Sequence, residues 1–405
     1  MKPIVRAGRM KPVHSDIRGP LFVEAMKRQK QGIDILKLNT GNPATFGFGL
    51  PDSIKNALME HMQDGVGYCD FKGMPQARQA ICDYETSKGI KGITPDDVFI
   101  GNGVSEVVSF ALTPLLNDGD EVLVPSPSYS LWGNSVYLED GKPVFYTCDE
   151  QANWYPDIQD IRSKITDKTK AIVIINPNNP TGVLYPKELL LEIIQIARES
   201  GLLIFADEIY DRLVMDGKQH ISLASLTEDV PVITLNGLSK SHCLCGYRCG
   251  WMVISGPREL TEDYRQGIIQ LTSLRLCANT LAQIVIPAAL DDMDTPASMV
   301  RPGGRIYEQR EATVRELEKI DGLSFVKNDA AFYVFPKLDV KKFNITNDKQ
   351  FAHDLLDATN ILLVPGSGFD WKDPDHFRIV MLPQADILSD AIRRMGTFLD
   401  GYKQK

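Results

Sequence analysis

The chain has 405 residues, 43% of them hydrophobic and 24% charged, which is enough to bury a large core and to divide into more than one unit. Its 53 acidic residues against 44 basic ones give a formal charge of -9, and the absence of any long basic block argues against a nucleic-acid partner. No apolar run approaches the ~18 residues of a membrane span, and the N-terminus lacks the order of a signal peptide, so a cytoplasmic protein without membrane contact is expected.

The first forty or so residues are poor in regular pattern and are expected to wrap another surface. From there, short apolar runs recur at Asp97–Gly101, Glu121–Pro125, Ala171–Asn176, Leu202–Asp207, Val232–Asn236 and Trp251–Ser255. Each is bounded by Gly, Pro, Asn or Asp, as buried strands are. Helical patterns lie between them. In Pro186–Ser200, Leu189, Leu190, Ile193, Ile194 and Ile196 form one wide apolar stripe. This alternation predicts an α/β fold, a three-layer αβα unit with a mostly parallel central sheet. After about Leu290 the rhythm is broken by acidic residues, Pro296, Pro302 and the pair Gly303-Gly304. The expected division is an arm over 1–45, a large unit over 46–290 and a smaller α+β unit over 291–405. That last unit reads as helix, strands near Phe332–Pro336, Ile361–Val364 and Phe377–Leu382, and a closing helix from Asp386.

The seven cysteines are odd in number and too few for a disulfide framework, so reduced thiols are expected. Cys243, Cys245 and Cys249 cluster, but without paired Cys-x-x-Cys arms or a second ligand pair; they read as small buried side chains, and no metal is expected.

Four segments carry chemistry. In Ile100–Glu106 a strand runs through Gly101 and Gly103 into an apolar helix, whose first N–H groups make an anion site. It is neither a dinucleotide fingerprint, because Glu106 stands at the third Gly position, nor a P-loop, since no Gly-Lys-Ser/Thr follows. Asn176–Gly182 leaves a strand and is rich in Pro and Asn, as any turn is; it nevertheless places Asn179 at a strand end as a side-chain donor. In Ile204–Tyr210 a strand delivers Asp207 to its C-terminal end, with Tyr210 just beyond. A helix cap would explain that Asp. That is the commoner role of an isolated strand-end Asp; the functional reading is an anion that keeps a cofactor's pyridine nitrogen protonated.

The sharpest segment is Asn236–Trp251, a Gly-containing excursion between two strands that holds Ser239, Lys240 and Arg248. Strand-end loops are where α/β sheets place ligands. A lone loop lysine is ordinarily a solvated charge. One that forms a Schiff base needs burial or neighbouring cations to lower its pKa, and Arg248 is the expected source of that field while gripping a phosphate beside Ser239.

With Gly41-Asn42-Pro43, Tyr68, Gly103-Val104-Ser105, Tyr129, Asn179-Pro180-Thr181-Gly182, Asp207, Tyr210, Ser239-Lys240, Arg248 and Phe377-Arg378 in place, the chain resembles the pyridoxal-phosphate aminotransferases of fold type I from about Asp16 to Tyr402. The resemblance implies that Lys240 is both Schiff-base lysine and proton shuttle. It implies that Tyr129 stacks on the cofactor ring, that Asp207 serves the ring nitrogen, and that Tyr210 and Asn179 serve its phenolic oxygen. Val104, Ser105, Ser239 and Arg248 would surround the phosphate. Tyr68 would reach the phosphate of a neighbouring subunit, which implies a homodimer with shared sites. Arg378 would clamp the substrate α-carboxylate, assisted by Gly41 N–H and Asn179. More narrowly, Asp16–Pro20, Gly41–Ala44, Gly67–Asp70 and Arg275–Asn279 look like the bacterial glutamate-pyruvate (alanine) aminotransferases, which makes Arg18 a candidate for the distal carboxylate of glutamate. Ser15 departs from that pattern, standing where such relatives carry an aromatic wall. The alternatives are an aspartate, aromatic or broad-specificity aminotransferase, a carbon-sulfur β-lyase of the same fold, and a cofactor-sensing regulator module. The last is disfavoured because too few residues precede Asp16 for a DNA-binding domain.

Overall fold

A computed structural model describes residues 2–405. Its central feature is an eight-stranded sheet formed by β1 (Val98–Asn102), β2 (Glu121–Ser126), β3 (Lys142–Asp149), β4 (Tyr155–Pro156), β5 (Thr169–Ile175), β6 (Leu203–Asp207), β7 (Val232–Gly237) and β8 (Cys249–Ser255). The strand order is β1-β8-β7-β6-β5-β2-β3-β4. The run β7-β6-β5-β2-β3 is parallel, whereas β8 runs against both of its neighbours and β4 against β3.

The central strands are apolar on both faces because helices cover both. Ala171, Val173 and Ile175 of β5 pack with Phe205, Leu235, α3 (Val104–Leu112) and α4 (Leu131–Leu138); Ile172 and Ile174 pack on the other side with α5 (Lys187–Ser200). The six runs expected as strands are strands, and the stripe of α5 is buried as its spacing predicts. Two strands of this sheet escaped prediction. β3 and β4 lie at the sheet edge, and β3 mixes buried with half-buried residues between exposed ends, so it lacks a continuous apolar signal.

A second core gathers around a small antiparallel sheet of β9 (Tyr333–Val334), β10 (Val364–Pro365) and β11 (Phe377–Val380), with β11 in the middle. Helices α8 (Arg305–Leu317), α9 (Asp348–Thr359) and α10 (Ala385–Leu399) supply Leu317, Phe351, Leu355, Ile392 and Met395 to it. The N-terminal segment joins this unit through Leu36–Lys37, which pairs in parallel with Ile361–Leu362. It also corrects the expectation of an irregular arm, for Pro20–Lys30 is a helix, α1, with Pro at its start. Leu21, Phe22, Ala25 and Met26 lie at helical spacing and pack against Leu356 and Leu362, a short stripe hidden among charged residues.

All seven cysteines are free thiols, and burial pushes those of Cys243 and Cys249 up to about 12. Among the described residues no single helix is long and apolar enough to cross a membrane.

Candidate active site

The register of the sheet builds the site. Ile175, Asp207 and Leu235 are paired neighbours, so the ends of β5, β6 and β7 lie level and their following residues emerge together. A cavity of about 840 Å³ opens there, between the large sheet and the small unit. Every sequence-identified site residue except Tyr68 lines it: Gly41, Val104, Ser105, Tyr129, Asn179, Asp207, Tyr210, Ser239, Lys240, Arg248, Arg378 and, at the exposed rim, Arg18. Ser15 lines it as well. Tyr68 is 84% exposed and belongs to no wall of its own chain's cavity.

Lys240 sits not in a loop but in a single helical turn, α6 (Leu238–Ser241), which follows β7 directly. Its Nζ donates to Gly41 O at 3.0 Å and lies 3.9 Å from the Cys245 thiol. Burial pulls the pKa of this amine down, but Tyr333, Cys245 and Tyr129 outweigh it and the net direction is upward. The cation that opposes them is Arg378, not Arg248. The expectation that Arg248 depresses this pKa is therefore wrong: its guanidinium is turned to Cys245 O, at 2.9 Å, and to Gly103.

Gly103 shows why that corner needs glycine. It precedes α3 with φ +84°, and a Cβ there would stand 2.3 Å from Arg248 Nη2. The start of α3 thus lies against a guanidinium. The hydroxyls of Ser105 and Ser239 line the same wall and make no side-chain hydrogen bond to the rest of the chain among the described residues. Helix N–H groups, a guanidinium and two free hydroxyls are a set of donors suited to a phosphate.

Asp207 is buried at the opposite wall. Its Oδ2 accepts from Trp132 Nε1 at 3.1 Å, and no cation lies within salt-bridge distance of it among the described residues. Burial is the main cause that pushes its carboxyl from 3.8 up to about 6, against the opposing Trp132 bond. Arg378, delivered by β11, is buried between the rings of Tyr333 and Phe369, each 4.6 Å from the guanidinium. Its Nη1 donates to Asn179 Oδ1 at 2.9 Å and its Nη2 to Asn39 O, while Nε is buried without a partner. Burial lowers its pKa.

Sequence reasoning missed Trp132, Tyr333 and Asn39. The Tyr333 hydroxyl lies 3.0 Å from that of Tyr210 and lines the cavity. Trp132 follows Tyr129 by one helical turn, a faint signal; the other two gave none.

This arrangement of a strand-end anion, a buried amine and a buried guanidinium matches a known pattern. The family model for aminotransferases of class I and II matches residues 33–392. The chain belongs to that family. The chain is 50% identical over its full length, and that of the relative, to a glutamate-pyruvate aminotransferase AlaA of Haemophilus influenzae, and 47% identical, again over both full lengths, to the protein of that name in Escherichia coli. Among solved structures, an aminotransferase from Escherichia coli superimposes with a TM-score of 0.98 at 47% identity, covering all of both chains. An alanine aminotransferase from Pyrococcus furiosus gives 0.93 at 41% identity over 98% of this chain and all of the other. As a member of the family, the chain acts on amino acids and 2-oxo acids.

Proposed function

We propose that this protein moves the amino group of L-alanine to 2-oxoglutarate, giving pyruvate and L-glutamate, with pyridoxal 5'-phosphate as cofactor. The observation that carries the reading is the isolation of Arg378. Three arginines are buried, Arg265, Arg310 and Arg378. Arg265 pairs with Asp97 at 2.6 Å and Arg310 with Asp216 at 2.6 Å. Arg378 has no carboxylate within 4 Å among the described residues, and it retains an orphaned Nε. A buried guanidinium without an anion costs several kcal/mol, a penalty that a bound carboxylate removes. The substrate α-carboxylate is the natural occupant, held by fork geometry.

The residues present also fit the cofactor. Arg248, Ser105, Ser239 and the start of α3 would hold its phosphate, Tyr129 its ring face, and Asp207 a proton at its ring nitrogen. When bound, pyridoxal phosphate supplies an aldehyde for amine exchange and a ring that accepts electron density. The chain supplies the rest. Lys240 Nζ, held at Gly41 O, takes the substrate α-proton once it has given up its own. Tyr210 and Asn179 line the cavity and would donate to the phenolic oxygen of the cofactor, and Arg18 at the rim would receive a second carboxylate. The names of the similar proteins support alanine and glutamate as the amino acids.

A homodimer completes this reading. Met59, Val66, Tyr68, Leu274 and Leu276 are exposed apolar side chains, and the segments bearing them are tied by the Thr280 hydroxyl bond to Gly65 O at 2.7 Å. Covering them with a second copy would bring Tyr68 to the neighbouring site. The divisions 1–45, 46–290 and 291–405 are likewise proposed as the arm, the large unit and the small unit.

Purified protein incubated with pyridoxal phosphate, L-alanine and 2-oxoglutarate should form pyruvate and glutamate in equal amounts. Turnover of aspartate or an aromatic amino acid in place of alanine would refute the substrate. Ammonia release without any 2-oxo acid would refute the transfer reaction.

A further inference from the structure

Behind the strand ends, away from the cavity, lies a cluster of buried ionisable groups that the roles above do not use. Helix α2 (Pro75–Ser87) ends just before Lys88, whose Nζ lies 2.6 Å from Glu208 Oε2, 2.8 Å from Glu85 Oε2 and 3.1 Å from Asp211 Oδ2. All three carboxylates are buried. The ligand atoms of Glu208, Asp211 and His220 approach one another closely enough for a metal ion, but Lys88 already holds two of the three.

The cluster is bonded to each strand end that serves the site. At β7, Asn236 Nδ2 donates to Asp211 Oδ2 at 2.7 Å, four residues before Lys240. At β6, Glu208 directly follows Asp207 and accepts from the Ser222 hydroxyl at 2.9 Å and Leu223 N at 3.1 Å. At β5, His220 Nε2 lies 3.1 Å from Asn176 O, three residues before Asn179, and 3.9 Å from Glu208. Tyr84 donates to Asp211 at 2.5 Å, Trp251 Nε1 donates to Glu85 at 3.2 Å, and the Arg212 guanidinium faces the Tyr84 ring.

The charges divide unevenly. Burial opposes the Lys88 cation, yet Glu208, Glu85 and Asp211 reverse this and keep its proton far above the ordinary lysine range. Burial raises the Glu85 carboxyl, while Asp211 is held low against burial chiefly by Lys88. Burial lowers His220, which leaves it neutral at pH 7. Lys88 is thus the cation that faces Glu208, and Glu208 is the charged neighbour that acts on Asp207.

We propose that Lys88 is a positioning residue: one buried ammonium holds Glu208, the residue next to Asp207, together with Asp211, which is bonded to Asn236 of β7, so that it ties the ends of β6 and β7 together and offsets the charge that Glu208 places beside Asp207. Its catalytic meaning rests on the function proposed above. The field itself does not, because Trp132 is bonded to Asp207 and, once Trp251→Phe has removed the indole bonded to Glu85, reports its protonation without any cofactor.

The test uses the full chain as wild type, Lys88→Met, Glu208→Gln and the double variant, with Asp207→Asn as the spectroscopic blank. Tryptophan fluorescence of cofactor-free protein carrying Trp251→Phe is titrated from pH 4 to 9, and kcat and KM for alanine are measured with pyridoxal phosphate. Lys88→Met should raise the midpoint by a few tenths of a pH unit, because it acts through Glu208, Glu208→Gln should lower it, and the double variant should return it toward wild type. Turnover should fall about tenfold in Lys88→Met with KM for alanine unchanged, since Arg378 is untouched. Loosening of the structure would not produce shifts of opposite sign. Midpoints that stay in place or move the same way in both single variants would overturn the proposal, even if melting temperatures fall. Opposite shifts in a protein that turns over no amino acid would uphold the field and reject the proposed function instead.

Discussion

Asp207→Asn should stabilise the cofactor-free protein while destroying its chemistry. Burial lifts this carboxyl from 3.8 to about 6, so above pH 6 the folded chain holds an anion that its surroundings disfavour. At 1.36 kcal/mol per pH unit the difference amounts to about 3 kcal/mol. The sign follows from proton binding. Between pH 4 and 6 the folded state retains a proton that the unfolded state has lost, so wild-type stability falls as pH rises through that window. Asparagine carries no charge, and its carbonyl can still accept from Trp132. The variant should therefore match wild type below pH 4 and exceed it by up to about 3 kcal/mol above pH 6. For a chain of 405 residues that gain corresponds to a rise of about 3–4 °C in melting temperature. Calorimetry of both cofactor-free proteins at pH 4 and pH 8 reads the difference. Equal melting temperatures at pH 8 would refute the idea that the site holds Asp207 at a cost to stability. Pyridoxal phosphate should stabilise wild type more than the variant, because only wild type offers a counter-ion to a protonated ring nitrogen.

Lys240→Ala should remove turnover and the visible absorbance of the bound cofactor, checked by spectrum before and after adding L-alanine. Arg378→Lys should lower kcat/KM for alanine by roughly 10–100-fold, because a point charge cannot replace a fork between two aromatic rings, and steady-state kinetics would show it. Leu274→Asp should shift sedimentation toward a single chain and reduce turnover at low protein concentration, since Tyr68 would no longer reach a neighbouring site.

The fold was legible where burial is complete on both faces. Strands such as Ala171–Ile175 have no polar face to mask them, whereas β3, half exposed at the edge, and α1, a narrow stripe among charges, gave weak local patterns. The site divides in the same way. Asp207, Lys240 and Asn179 announce themselves because Asp207 ends an apolar run that reads as a strand and the other two follow such runs within a few residues. Their partners do not. Trp132 meets Asp207 across 75 residues of chain, Tyr333 meets Tyr210 across 123, and Asn39 meets Arg378 across 339. No local spacing encodes such meetings. The pKa of Lys240 was misjudged for the same reason, since the phenols and thiol that set its direction come from three separate segments.

Two groups of buried charge in this molecule are built on opposite principles. Around Lys88 an ammonium meets three carboxylates, and the remaining donors are indole, amide, hydroxyl and phenol groups at hydrogen-bond distance. In the cavity Asp207 lacks a cation and Arg378 lacks an anion, although both are as deeply buried. An isolated buried charge survives only when the surrounding structure is stable enough to hold it. The charge-paired cluster lies directly behind the unpaired one and is bonded to the same strand ends, so it can supply that rigidity where the site needs it. The unmet charges then favour a ligand that carries a cation toward Asp207 and a carboxylate toward Arg378, which is the charge pattern of a protonated pyridine ring joined to an amino acid.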